Sequence, residues 1–176
     1  SEGQLQMRAD AMAALTRQGY MHIGLDHFAL PTDALAVAKR LGRLHRNVQG
    51  YTTQPDCDLI ALGVSAIGRV GATYSQNART LPDYQAALAQ GRFAVVRGLA
   101  LTRDDLLRRA VIMAIMCQGA VHFESIALAY LVDFQRYFAT ELEALKPLAD
   151  QGMVTVDADS IEVTDTGWFF VRAVAM

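Results

Sequence analysis

Cysteine is scarce in these 176 residues: Cys57 and Cys117 are the whole complement, and they stand far apart. That excludes a disulfide framework and a four-cysteine zinc site, and it fits a reducing compartment. Histidine is thin as well. His22, His27, His45 and His122 fall in neither an HxH nor an HxxxH spacing, so no metal motif is present. No apolar stretch reaches the roughly 18 residues of a membrane span before Gly, Gln or Arg breaks it. Charge of either sign is in short supply too: 16 Lys and Arg against 18 Asp and Glu leave a net −2, with no global pull toward nucleic acid or an anionic membrane. There is no secretory signal pattern, proline- or serine-rich linker, repeat or low-complexity tract. The expectation is a cytoplasmic protein without membrane or nucleic-acid partners. Apolar side chains are abundant, 52% of the sequence, enough for one ordinary domain or two small ones.

The first part of the chain reads as α/β. Leu5, Ala9, Met12 and Leu15 recur at helical spacing over residues 4–18, and Gly19 supplies a stop. Residues 20–25 alternate as a strand does, and Asp26, His27 and Phe28 form a polar loop before Pro31. Thr32 or Asp33 offers a short oxygen side chain to cap a helix through Leu41. Residues 58–62 read as a second buried strand running into Gly63, Gly68 and Gly71, and Pro82 and Gly91 bracket a further helix. From Thr102 the pattern turns helical. Thr102 and Asp105 make a capping box for a helix ending at Gly119, with Leu107, Ala110, Val111, Ala114 and Ile115 as its buried stripe. Helices follow over 124–131 and 134–150, Gly152 ends the latter, residues 153–156 and 161–163 form a hairpin, and Thr164 caps a last helix. Three helices and a hairpin describe a winged helix. The expected architecture is an α/β portion, residues 1–100, packed with a mainly α, winged-helix-like module, residues 101–176.

A winged helix raises the question of DNA. The helix before the hairpin carries Glu141, Glu143 and Asp150 against Arg136 and Lys146, and the hairpin turn holds Asp157 and Asp159, where phosphate neutralisation needs Lys or Arg. A packing or lid role is the better reading. Gly63, Gly68 and Gly71 match neither GxGxxG nor a P-loop. They serve either sharp turns after a strand or the close approach of a flat, nucleoside-like ligand, and spacing alone favours the turns. His27 follows a predicted strand, where α/β folds place ligands. Gln49, Tyr51, Thr52 and Thr53 offer an amide and hydroxyls that suit a polar ligand, without a nucleophile–base pair.

The block HRNVQGYTTQ at 45–54, followed by DLIALGVSAIG at 58–68, preceded by IGLDHFALPTDALAVA and followed by RGLALTRDDLLRR, resembles the C-terminal part of the oxygen-independent coproporphyrinogen III oxidase family, radical S-adenosylmethionine enzymes of haem synthesis. The sister family of haem chaperones typically has an Asn-x-x-Tyr-Trp block where Gln49, Gly50, Tyr51 and Thr52 stand. The resemblance implies oxidative decarboxylation of two propionates of coproporphyrinogen III, giving protoporphyrinogen IX. It also implies a [4Fe-4S] cluster and two S-adenosylmethionine molecules per site. Gln49 and Ile67 match the family positions that contact the second of these. His45 and Arg46 are candidates for pairing with substrate propionates, since carboxylates favour charge-assisted donors; for Arg46 a surface salt bridge is the plain alternative. No catalytic residue is assigned.

The Cys-x-x-x-Cys-x-x-Cys cluster motif is missing, and two distant cysteines do not replace three close thiolates. Leu30 stands where many relatives carry a basic residue. The implied fold is therefore the C-terminal part of an incomplete α/β barrel followed by the winged-helix-like module, and the chain alone is expected to be inactive. A truncated relative that binds a tetrapyrrole or a partner without catalysis is the alternative. An incomplete barrel is expected to leave bare apolar edges at residues 21–25 and 59–62, with self-association as the consequence.

Overall fold

The structure, a computed structural model, describes residues 2–176, which form two compact units: residues 2–55 with 110–176, and Asp56–Arg109. The chain opens with α1 (Glu2–Arg17), which stops where Gly19 takes φ +86°. Next, β1 (Met21–Gly24) folds back on β2 (His27–Ala29), pairing Met21 with Ala29 and His22 with Phe28. Most of the expected polar loop is thus the second arm of a hairpin. The Asp33 carboxylate accepts from the Leu35 N–H at 2.8 Å and starts α2 (Ala34–Arg40). A second hairpin joins β3 (His45–Asn47) to β4 (Gly50–Thr52). Ile23, Ala36, Leu44, Tyr51 and Cys117 form the core beneath the two hairpins. At residues 21–25 one edge of β1 is paired with β2 and Ile23 is fully buried, whereas at residues 59–62 Ile60 and Leu62 are exposed.

In the second unit, β5 (Ile67–Val70), β6 (Thr73–Asn77) and β7 (Val95–Ala100) lie side by side in that order, with α3 (Leu81–Ala89) between β6 and β7 in sequence. The strand expected at residues 58–62 does not form. Only Leu59 pairs, exchanging hydrogen bonds of 2.7 and 2.9 Å with Arg69. Beyond it the side-chain amide of the buried Asn77 donates to the carbonyls of Ala61 and Gly63, at 3.2 and 2.9 Å. These backbone groups are satisfied by a side chain, so the segment needs no ladder. Thr102 and Asp105 form the expected reciprocal cap, 2.8 Å from the Thr102 N–H to Asp105 Oδ2 and 3.1 Å from the Asp105 N–H to Thr102 Oγ1, opening α4 (Arg103–Gln118).

The first unit resumes through β8 (Ala120–His122), α5 (Phe123–Tyr130), α6 (Phe134–Tyr137), α7 (Ala139–Asp150), β9 (Val154–Val156), β10 (Ser160–Val163), α8 (Asp165–Phe169) and α9 (Val171–Val174). The sheet order is β8-β10-β9. The single helix expected over 134–150 is broken. Phe138 leaves helical geometry at φ −102°, ψ 25°, while its buried ring packs 4.7 Å from that of Phe134, which stacks on Phe123 at 4.3 Å. Thr164 Oγ1 accepts from the Gly167 N–H at 3.0 Å, as its place in the sequence predicts. Every strand pairing among the described residues is antiparallel.

Candidate functional site

The β3–β4 hairpin carries most of the polar candidates, and its alternation sorts them. Arg46 pairs across the ladder with Tyr51, and His45 with Thr52, so the two pairs project from opposite faces. Tyr51 points inward, and its hydroxyl donates to the Met116 carbonyl at 2.9 Å. Burial pushes that hydroxyl up to about 12. The two hairpins meet through glycines. At Gly24 a Cβ would collide with the Tyr51 ring, and at Gly50, where φ is +135°, a Cβ would sit 2.8 Å from His27 Nε2. The His27 ring in turn meets Tyr51 edge to face at 5.2 Å. Its Nδ1 lies 3.0 Å from Asp26 Oδ1 but without hydrogen-bond alignment.

At the hairpin tip, Asn47 Oδ1 accepts from the Gln49 N–H at 2.8 Å and fixes the turn. The exposed Gln49 carboxamide makes no hydrogen bond to the described residues, so both its donor and its acceptor are available. Arg46 is half-buried, its guanidinium lies 5.7 Å from the centre of the Tyr51 ring, and its Nε is sealed from solvent without a partner. The surface salt bridge that would account for Arg46 plainly is not formed among the described residues. Sequence reading missed the His27–Gly50 contact. The signal available was a glycine placed three residues after Asn47, the residue that pairs with it across the hairpin.

Ile67 opens β5 in the second unit and is exposed. The glycines around it have backbone reasons. Gly63 and Gly71 adopt φ +101° and +54°, and a Cβ on Gly68 would lie 2.8 Å from the Leu59 carbonyl oxygen. In the same unit Asp56 accepts from both Arg69 and Arg109, the latter through two bonds of 3.0 Å, and Arg109 Nε donates to Tyr74 Oη at 3.2 Å. Cys57 is exposed and Cys117 is buried in the core of the first unit. These two thiols do not make a ligand set for an iron–sulfur cluster, and the described residues contain no group of three or more metal-ligating side chains. No helix among them is long and apolar enough to cross a membrane.

Known proteins share this arrangement. Residues 101–170 match the family described as HemN C-terminal domain. The whole chain is 45% identical over 177 residues to oxygen-independent coproporphyrinogen III oxidase of Pseudomonas aeruginosa. Over 98% of its length it is 45% identical to the protein of that name from Escherichia coli K12 and 38% identical to that from Helicobacter pylori 26695. It spans 38% of the length of each of these relatives. A solved structure described as "Coproporphyrinogen III oxidase (HemN) from Escherichia coli is a Radical SAM enzyme" superposes with a TM-score of 0.92 at 47% identity, over 98% of this chain and 40% of that one. Over its whole length the chain is similar to the C-terminal part of the longer oxygen-independent coproporphyrinogen III oxidases, and within it residues 101–170 match the HemN C-terminal domain.

Proposed function

We propose that this chain serves as the C-terminal part of a cytoplasmic coproporphyrinogen III oxidase, contributing to the oxidative decarboxylation of coproporphyrinogen III to protoporphyrinogen IX. Residues 1–100 are then the closing part of an α/β barrel and residues 101–176 a winged-helix module. The order α4, β8, α5, α7, β9, β10 supports the second reading. The observation that carries the function is the Gln49 carboxamide, left free at the tip of a hairpin in which Asn47 and Tyr51 are hydrogen-bonded and Gly50 is packed against His27.

S-adenosylmethionine, when bound, supplies the radical that abstracts a propionate hydrogen. This chain's residues bind and orient. The Gln49 amide donates to and accepts from polar atoms of the second S-adenosylmethionine, and Ile67 offers it an apolar contact. Arg46 brings a cation with an unsatisfied Nε, and His45, on the opposite face of the hairpin, is a separate candidate for a propionate carboxylate. The cluster ligands are not on this chain, so no step is assigned to it here.

The test uses the full-length Escherichia coli relative with this chain in place of its aligned C-terminal part. In that protein Gln49→Ala should raise the KM for S-adenosylmethionine about tenfold, the equivalent of one well-made hydrogen-bond pair. Unchanged turnover and unchanged S-adenosylmethionine affinity would refute the reading.

A further inference from the structure

We infer that β7 is a docking strand, on which the portion of the family's longer polypeptide that precedes this region continues the β5-β6-β7 sheet and covers both its faces. The inference rests on the reading of the chain as part of a longer oxidase. The sequence of β7, Val95-Val96-Arg97-Gly98-Leu99-Ala100, does not alternate. The register, with its bulge between Gln76 and Asn77, sets Leu99 beside Tyr74 on one face and Val95 and Ala100 beside Asn77 and Thr73 on the other, so apolar side chains stand on both faces, the composition of a strand buried on both sides. Yet all six residues are exposed, Val96 to 61% and Leu99 to 59%, and Phe93 just ahead to 92%.

Nothing within the unit covers them. β7 is the end strand and pairs only with β6, so its outer edge has no strand partner among the described residues. α3 has no buried residue, and the buried apolar side chains of Asp56–Arg109 are Ala78, Ala94 and Leu107. A three-stranded sheet with so small a core is marginal on its own. The edge also lacks a guard. Arg97, the only charge in β7, is drawn to Gln76 across the sheet, its Nε donating to Gln76 Oε1 at 2.7 Å.

The shape of the deficit selects the occupant. A second copy pairing edge to edge leaves both faces bare, and one packing face to face leaves the other face and the edge. A body that brings both a strand and flanking helices satisfies edge and faces together, as a layered α/β fold does. The relatives have the length for such a body, since this chain spans 38% of them.

Hydrogen exchange tests the inference, comparing this chain alone with the same chain joined to the preceding portion of the Escherichia coli relative. The β9–β10 amides serve as a folded reference, equally protected in both. Protection over residues 95–100 should rise on the order of 100-fold on joining. In the joined protein Val96→Lys should return it to the level of the free chain, and the milder Val96→Thr should lower it in part. Unchanged protection on joining would overturn the inference. So would protection of 95–100 in the free chain that rises with concentration alongside a dimer in light scattering, which assigns the strand to a second copy. Turnover of the joined protein reads the functional proposal separately: an inactive protein with β7 protected refutes the function and keeps the docking strand.

Discussion

Gly50→Ala is the most informative single change in the β3–β4 hairpin, because two costs fall on one methyl group. The first is conformational. At φ +135° the backbone lies in a region open essentially to glycine, and an L side chain there costs about 1–3 kcal/mol. The second is steric, since the new Cβ would sit 2.8 Å from His27 Nε2. To escape, the imidazole must leave its edge-to-face contact with Tyr51, worth about 0.5–1.5 kcal/mol. Together they predict a loss of roughly 2–4 kcal/mol, read as a lower urea midpoint at unchanged slope. A cycle with His27→Ala separates the terms. Without the ring the alanine meets open space, so the double variant should recover about 1 kcal/mol relative to the sum of the single changes, leaving the backbone cost. A Gly50→Ala loss below about 0.5 kcal/mol would show that the turn relaxes freely and that the hairpins are not interlocked. Strict additivity would show that His27 does not press on the turn.

Three further outcomes follow from the same geometry. The Tyr51 hydroxyl is raised to about 12, so folding favours its neutral form; its contribution is fully present below about pH 10 and lost as pH climbs through 12. Unfolding measured between pH 9 and 12 should show a stability fall on the order of 2 kcal/mol or less, allowing for solvent screening, and Tyr51→Phe should abolish that fall. Lys39 Nζ donates to the carbonyls of His22 and Ile23, at 3.0 and 2.7 Å, and lies 4.0 Å from the ring centre of Trp168. Lys39→Ala should cost about 1–3 kcal/mol and change the emission of Trp168, the only tryptophan; an unchanged spectrum would place the ammonium elsewhere. Thr102→Ala removes one half of a reciprocal cap and should cost about 1 kcal/mol, with faster amide exchange confined to the first turn of α4.

The helices were the legible part of the fold, since their limits are written in local chemistry: Asp33, Thr102 and Thr164 cap where their positions predict, and Gly19 and Gly119 take positive φ at helix ends. The break at Phe138 was hidden. Its apolar spacing continues through the kink, and what interrupts the helix is the packing of three phenylalanine rings distant from the backbone pattern. Strands were harder still. Residues 58–62 have the composition of a strand, but the carbonyls of Ala61 and of Gly63 just beyond are taken up by Asn77, 16 and 14 positions away, a contact that no local pattern records. Conversely, the polar block 45–52 hid a hairpin, because its only buried residues are Gly50 and Tyr51 on one arm, while all of the other arm, His45 to Asn47, is half-buried.

This uneven burial divides the labour within Gln49-Gly50-Tyr51-Thr52, a division the sequence does not show. Gly50 and Tyr51 point into the protein, one against His27 and the other to the Met116 carbonyl, and the fold occupies them fully. Gln49 makes no side-chain hydrogen bond to the described residues and is held by its backbone N–H to Asn47. Changes to the block should therefore separate into two kinds. Gln49→Ala should leave the urea midpoint of the free chain within about 0.5 kcal/mol of the parent, since an exposed, unpartnered amide contributes nothing to the fold, while weakening S-adenosylmethionine binding in the full-length protein. Tyr51→Phe should do the reverse, leaving the Met116 carbonyl without its donor and costing about 1–3 kcal/mol of stability. A Gln49→Ala protein that unfolds as easily as Tyr51→Phe would mean that the amide holds the hairpin together, and the reason for assigning it to a ligand would be gone.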